Sequence, residues 1–172
     1  MLISGIALVD SFKFLDFAAR KLMKAWSDRE PRRPPVWTPL KRPLAQSRIA
    51  LISSAGIARN DQPPFDQDGE RRNPWWGDPS HRVLPRGTTE RDVRLYHMHV
   101  ETRYGEQDLD CVLPLRRLEE AQQAGVIGSV APSHYSFMGY LLDAGPFLTK
   151  TVPQIVARMK SEEVDAAVLV PA

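Results

Sequence analysis

Short apolar runs alternate with helix-like segments along most of this chain, and that alternation limits the fold more than any other feature. The apolar runs are residues 48–54, 93–100, 126–132 and 166–170. Strands that alternate with helices form parallel sheets with helices on both faces. The sequence therefore predicts an α/β fold with a three-layer, Rossmann-like sheet of the flavodoxin-like kind. Because no covering helix follows residues 166–170, we expect this fold to be truncated at its C-terminal end.

Two helices are predicted between these strands. Residues 113–125 carry Leu115 and Leu118 on one side and end at Gly125, a residue that often stops helices. Thr151 is predicted to cap a later helix, since a threonine oxygen can accept a hydrogen bond from the first turn.

The N-terminal part differs in character from the rest. Apolar residues recur every three or four positions in residues 10–26, which predicts an amphipathic helix, and residues 27–43 contain five prolines. The sequence therefore predicts a helix and proline-rich linker in residues 1–36 and an incomplete α/β domain in residues 37–172. Packing is the expected role of the helix, and contact with a membrane surface or a partner subunit is the alternative.

Bulk composition excludes several classes of protein. The chain has no apolar run long enough to span a membrane and no basic region before its apolar start, so neither a membrane protein nor a secreted one is predicted. A cytoplasmic location is expected. The formal net charge of +2 gives no indication of nucleic-acid binding. Cys111 is the only cysteine, and its apolar neighbours predict burial.

Residues 57–89 form a long stretch rich in Pro, Gly, Asp and Arg. A stretch of this length without regular structure is usually a functional loop, an interface segment or a disordered region. Disorder is disfavoured here because Trp75 and Trp76 need surfaces on which to pack.

Polar side chains lie near the carboxyl ends of the predicted strands, where ligands bind in open α/β sheets. His97 and His99 would share one face of a strand, and could bind a metal or an anion or transfer a proton; alternatively, one is a buried structural histidine and the other incidental. Asp108 and Asp110 are either an acid–base pair or, as we favour, turn and capping residues.

A second candidate group follows the third predicted strand. His134 and Tyr135 could orient a substrate or anchor the loop, and Gly139 would allow a close approach. The chain has no G-x-G-x-x-G fingerprint, no P-loop pattern and no serine nucleophile elbow.

An ordered series of segments resembles the glycine, betaine, sarcosine and D-proline reductase family of the selenoprotein B type. The segments are "RIALISSAGI", "QPPFD", "GDPSHRVLP", "VRLYHMHVE", "DLDCVLPLRRLEEAQQAGVIGSVAPSHYSFMGY" and "VDAAVLVP". The resemblance runs from about Trp37 to the last residue.

This resemblance implies a reductase that splits a bond, usually carbon to nitrogen, next to a carboxylate in a small amino-acid-like substrate. The family's nucleophile is a selenocysteine or cysteine, expected here directly after Ala172, with a second cysteine close behind. A selenocysteine codon misread as a stop, or a deliberately shortened chain, would explain an end at Ala172. The chain as given should lack turnover.

The resemblance also implies site residues and partners. His97 is expected to donate a proton to the leaving group, Arg82 to pair with the substrate carboxylate, and Asp78, His134 and Tyr135 to line the same cleft. No cofactor is expected on this chain. The expected partners are a subunit that carries a pyruvoyl group and a thioredoxin-like electron donor. Self-association into a homo-oligomer is expected as well.

Two other functions stay open at this point. A non-catalytic binding or assembly module would use the same cleft or the tryptophan-bearing loop. A metal-dependent enzyme built on His97 and His99 is the third candidate.

Overall fold

The computed structural model describes residues 16–27, 38–73 and 76–172, and it divides the chain into two compact units, Met1–Thr38 and Pro39–Ala172. Within the first unit, helix α1 spans Phe17–Ser27. This confirms the C-terminal part of the helix predicted for residues 10–26, while its part before residue 16 lies outside the described residues. Most of the predicted linker, residues 28–37, lies outside them as well.

The second unit has an α/β fold with a parallel-rich, Rossmann-like sheet, as predicted. Its strands are β1 (Arg48–Ser53), β2 (Ile57–Arg59), β3 (His81–Pro85), β4 (Val93–Leu95), β5 (Ser129–Val130), β6 (Ser133–Phe137) and β7 (Ala166–Val170). Its helices are α2 (Gln67–Arg72), α3 (Thr102–Gln107), α4 (Leu115–Gln123) and α5 (Val152–Ser161).

Strand β1 lies at the centre of the main sheet. It pairs in parallel with β7 on one side and with β5 and β6 on the other, and β6 pairs in antiparallel with β3. The antiparallel strand β3 is a departure from the purely parallel sheet that was predicted. At the other edge, β7 exposes Leu169 at 71%.

Strands β5 and β6 are one strand path interrupted by a bulge. Ile49 pairs with Val130 and Ile52 with Tyr135, so three steps along β1 face five steps along its neighbour. The two extra residues surround Pro132, which has no N–H to donate to a ladder. The bulge turns the following side chains of β6 relative to β1.

Two strand predictions were wrong in extent. Of residues 126–132, only Ser129–Val130 form a strand. Residues 93–100 form a strand only at Val93–Leu95, and this strand pairs with β2 in a separate two-stranded sheet. His97 and His99 therefore lie in a turn and not on one strand face. The segment after Pro132, predicted to be a helix or loop, is strand β6, and the irregular stretch 57–89 contains β2, α2 and β3.

The helix predictions fared better. Helix α4 buries Leu115 and Leu118, and the chain leaves it through Gly125 at a positive φ of 70°. Thr151 makes no capping hydrogen bond, because the chain is already helical at Phe147–Thr151 and its hydroxyl donates to the Pro79 carbonyl. That capping prediction was wrong.

The hydrophobic core lies between the main sheet and the helices that follow it. It includes Ile49 and Leu51 of β1, Leu113 before α4, and Val130 of β5. Cys111 is exposed, contrary to its predicted burial. None of the helices in the described part of the chain is long and apolar enough to cross a membrane.

Candidate functional site

Four residues meet where β1, β6 and β7 end, and we call Ser54, His97, Gly139 and Ala172 the strand-end cluster. The Gly139 N–H donates to the Ser54 carbonyl at 2.9 Å, and the Ala172 N–H donates to Ser54 Oγ at 2.9 Å. Carboxyl ends of parallel strands are where α/β proteins place ligands. The cluster is therefore the candidate site.

Gly139 lets His97 approach this edge closely. A Cβ added at Gly139 would lie 3.1 Å from His97 Nε2 and 3.0 Å from Ser54 Cβ, closer than most side-chain contacts. Gly139 therefore leaves room for the His97 ring. As a consequence, the imidazole of His97 lies against the backbone at the end of β6.

The ring of His97 is held in one orientation. It is only 6% exposed, and its Nδ1 accepts a hydrogen bond from the His99 backbone N–H at 3.2 Å. Burial lowers the pKa of His97, the neighbouring His99 lowers it further, and Glu70 opposes them. The neutral ring consequently carries its hydrogen on Nε2, the nitrogen nearest Gly139.

His99 belongs to a neighbouring group of three side chains. Its Nε2 lies 2.7 Å from Glu70 Oε1, and its ring stacks on Tyr140 with centroids 4.3 Å apart. Glu70 is 3% exposed, whereas the His99 side chain is 52% exposed. The rings of His97 and His99 lie 6.0 Å apart in an edge-to-face arrangement.

Asp78 and Arg82 lie together, but they bind the protein itself. Asp78 accepts from the Asp66 N–H at 2.9 Å and from Ser80 N–H at 2.8 Å. The guanidinium of Arg82 donates to four acceptors: the carbonyls of Pro63, Pro64 and His81, and the Ser80 hydroxyl. We call this the loop clamp, since it holds residues 63–66 at the entrance to α2.

The loop clamp is linked to His99 through helix α2. Asp66, held by Asp78, caps α2 through its own Oδ1, which accepts from the Gly69 N–H. Helix α2 carries Glu70, whose carboxylate contacts His99. Four of the five guanidinium hydrogens of Arg82 have acceptors among the described residues.

A lysine cannot reproduce this clamp. Arg82→Lys should lower the free energy of unfolding by about 1–2 kcal/mol, because a single ammonium cannot reach the Pro63 and Pro64 carbonyls together. Urea denaturation followed by fluorescence measures the change. The control is Arg86→Lys, whose pair with Glu119 lies at the surface, and which should cost about 0.5 kcal/mol or less. Equal losses in the two variants would show that the clamp carries no special stability.

His134 and Tyr135 are both fully buried in β6. His134 Nδ1 accepts from the Leu51 N–H at 3.0 Å, so the imidazole completes the ladder of β1 where the bulge interrupts it. Burial raises the pKa of Tyr135 to about 12, with a smaller contribution from Glu162. The Tyr135 hydroxyl and His134 Nε2 have no hydrogen-bond partner among the described residues.

The aspartates of the 108–111 turn have the capping role that was favoured. Asp108 accepts from the Asp110 N–H at 3.1 Å, and both carboxylates contact Arg116. Within the described part of the chain, no three His, Cys, Asp or Glu side chains come together as a metal site.

Some site residues were missed from the sequence. Glu70 lies in the charged run "DQDGERR", which looks solvent-exposed, and Tyr140 lies in a segment predicted as helix or loop. Glu70 is buried in α2 beside His99, and no local sequence pattern signals this burial. Gln67 of the same helix donates to the Tyr96 carbonyl at 2.7 Å.

Comparison with known proteins gives a family for this arrangement. The sequence model described as glycine/sarcosine/betaine reductase selenoprotein B matches residues 8–172. The chain is also 30% identical over 136 residues to the D-proline reductase subunit gamma of Acetoanaerobium sticklandii. That alignment covers 79% of this chain and 53% of the relative, so the chain spans about half the length of the relative it matches. No solved structure matches the chain.

Proposed function

Because the chain belongs to the glycine/sarcosine/betaine reductase selenoprotein B family, we propose that it is part of a reductase subunit that cleaves a carbon–nitrogen bond next to a carboxylate. The substrate is a small amino acid or amino-acid derivative, and the electrons come from thiols. The observation that carries the proposal is the family match, which spans nearly the whole chain including every residue of the strand-end cluster.

The nucleophile in this proposal is a selenocysteine or cysteine in the segment that follows position 172 in the full-length polypeptide. A selenolate or low-pKa thiolate attacks carbon without a dedicated base. The hydrogen bond from the Ala172 N–H to Ser54 Oγ supports this location, because it brings the chain beside Gly139 and His97.

The reaction is a two-electron reduction in three steps. The carbon–nitrogen bond breaks as a bond from selenium or sulfur to carbon forms, and the nitrogen leaves with the electron pair and takes a proton. A second cysteine thiolate then attacks the selenium or sulfur, and the carbon leaves with the bonding pair and takes up a proton from solvent. An external dithiol reduces the resulting selenide–sulfide or disulfide bond. Without the nucleophile, residues 1–172 alone would have no turnover.

The side chains of this chain bind and orient the substrate. His97 presents its Nε2–H toward the leaving group, and the remaining N–H of Arg82 is available to the substrate carboxylate. Asp78, His134 and Tyr135 were predicted to contact substrate, and this stays a prediction. Their burial supports a role in holding the cleft.

The partners in the proposal follow from the family. A thioredoxin-like protein would deliver the electrons, and a pyruvoyl group on another subunit would capture the substrate amine. We propose a cytoplasmic location for this assembly and leave self-association through the exposed β7 edge as a further prediction. Size-exclusion chromatography coupled to light scattering measures it.

Removing the donor of His97 should slow the reaction. In the full-length polypeptide with its partner subunits, His97→Ala should lower kcat about 100-fold on the preferred substrate, because an aligned donor at the leaving group is lost. Dithiothreitol serves as reductant, and glycine, sarcosine, betaine and D-proline form the substrate panel.

Two results would contradict the proposal. One is a downstream segment with neither selenocysteine nor cysteine near position 173. The other is no turnover of any substrate on the panel by the intact assembly. A protein with either property but with intact partner binding would instead be an assembly module, which the exposed Val168 and Leu169 of β7 favour.

A further inference from the structure

His97 and His99 have different hydrogen-bond environments. This difference indicates a different role for each ring in proton transfer. His97 Nδ1 already accepts the His99 backbone N–H, and the ring is buried. A neutral imidazole in that position can donate a hydrogen bond through Nε2. It cannot give up that hydrogen without becoming an imidazolate, which is far too basic to form near neutral pH.

His99 has the complementary environment. Its Nε2 faces a buried carboxylate at 2.7 Å, and its ring is half exposed. Its Nδ1 has no hydrogen-bond partner among the described residues. A buried carboxylate that holds one imidazole nitrogen fixes the tautomer, provides a counter-ion for the protonated ring and leaves the other nitrogen for proton transfer.

Three separate segments of the chain contribute to the surroundings of His99. Glu70 comes from α2, His99 from the turn after β4, and Tyr140 from the chain after β6. Among the described residues, the charged or titratable groups that contact His99 are Glu70, His97 and Tyr140. With the two rings 6.0 Å apart, one small amino-acid substrate can touch both.

We propose that His99, held by Glu70, delivers the proton to the departing nitrogen, while His97 binds the same group as a fixed N–H donor. The proton leaves Nδ1 of the imidazolium as the carbon–nitrogen bond breaks, and the neutral His99 regains a proton from solvent. His99 is the catalytic residue in this step and Glu70 is a positioning residue. The inference rests on the proposed reductase function and names its acid.

The hydrogen positions can be measured in residues 1–172 without any turnover. Ring nitrogen shifts from ¹⁵N NMR should show the neutral His97 ring with its hydrogen on Nε2, because Nδ1 accepts the His99 backbone N–H. The neutral His99 ring should also carry its hydrogen on Nε2, the nitrogen that faces Glu70. Glu70→Gln should let His99 populate the Nδ1–H form as well. A neutral His97 with its hydrogen on Nδ1 would overturn the inference, as would a His99 tautomer that is unchanged in Glu70→Gln.

Kinetics of the full-length reductase give the second test. His97→Gln keeps an N–H donor and should retain kcat within about tenfold, whereas His99→Gln cannot deliver a proton and should lose about 100-fold with KM nearly unchanged. Glu70→Gln should lose about tenfold, and Glu70→Asp should recover part of that loss. Added imidazole should partly rescue His99→Ala, which a structural role would not allow. The control is His81→Gln, because the His81 side chain belongs neither to the strand-end cluster nor to the group of Glu70, His99 and Tyr140.

The outcomes separate the two proposals. If the intact assembly reduces nothing, the reductase function fails, and the NMR spectra still decide the tautomer of each ring. If wild type turns over but His99→Gln does so equally well, the function stands and the His99 acid is refuted. A large loss in His97→Gln together with an active His99→Gln would assign the acid to His97.

Discussion

Acidification from pH 7 to pH 4 should lower the free energy of unfolding of the wild-type protein by about 3 kcal/mol more than that of His134→Gln. Burial is the main cause that lowers the pKa of His134 to about 4, with Arg86 acting in the same direction and Glu162 against it. In the unfolded chain the ring has an ordinary pKa near 6.5. Below that pH the His134 ring is protonated in the unfolded state but not in the native state. The free energy of unfolding therefore falls as the pH falls.

The pH window follows from the same two values. Stability from this residue is complete above about pH 6.5 and is lost progressively down to about pH 4, where the native ring also titrates. Burial also lowers the pKa of His81 and His97, and these residues contribute with the same sign. They are present in both proteins, so they cancel in the difference between the two pH profiles.

Urea titrations at half-unit pH steps measure both profiles. Glutamine is the matched replacement, since its amide oxygen can accept from the Leu51 N–H without titrating in this range. Parallel profiles for the two proteins would contradict the prediction. If His134→Gln does not fold, ring ¹⁵N shifts of wild type at pH 5 still test it, because His134 should remain neutral with its hydrogen on Nε2.

The sequence predicted those elements whose pattern is local. Strands β1 and β7 are continuous apolar runs, as expected for strands of a parallel sheet, although only β1 is buried, and Gly125 ends α4 because it supplies a positive φ. The general location of the candidate site followed from the same rule, since strand ends can be read from the runs themselves.

What was missed depends on contacts between distant segments. Strand β6 carries His134 and Ser136 into the interior, where they accept from the backbone N–H groups of Leu51 and Ile57. Buried polar side chains of this kind break the apolar pattern by which a strand is recognised. Strand β3 forms only because β6, some fifty residues away, offers it an antiparallel edge.

For the candidate site, too, the sequence predicted what is local and missed what depends on contacts between distant segments. His97 was chosen because it lies near a strand end in the sequence, and it does lie against Gly139. Its fixed orientation, however, comes from the turn that replaced the predicted strand, and the carboxylate partner of His99 comes from an unpredicted helix. Residue types therefore indicated the location of the candidate site, while the hydrogen-bond partners of the two rings could be found only from the fold.

Gly77→Ala should be the most damaging single methyl addition in this region. A Cβ built at Gly77 lies 1.9 Å from the Tyr140 carbonyl oxygen, a distance that no real contact allows, and 3.0 Å from its carbon. Backbone atoms cannot rotate away as a side-chain tip can, so residues 76–78 and 139–141 must separate. Overpacking of this severity should cost about 3 kcal/mol of unfolding free energy.

The displaced residues connect this stability effect to the site. Tyr140 stacks on His99, and Gly139 lies against His97 Nε2, so separating the two segments should loosen both rings. In Gly77→Ala, ring ¹⁵N spectra should show His97 and His99 in mixed tautomers even where the protein remains folded. Gly145→Ala is the matched control, because its added Cβ would meet only the Asp143 side chain, and it should change stability by about 0.5 kcal/mol or less. Equal stabilities and equal ring spectra for the two variants would mean that residues 76–78 do not pack against Tyr140 as described. A loss confined to Gly77→Ala, with altered spectra for both histidines, would show that this backbone contact sets the positions of the two imidazole rings.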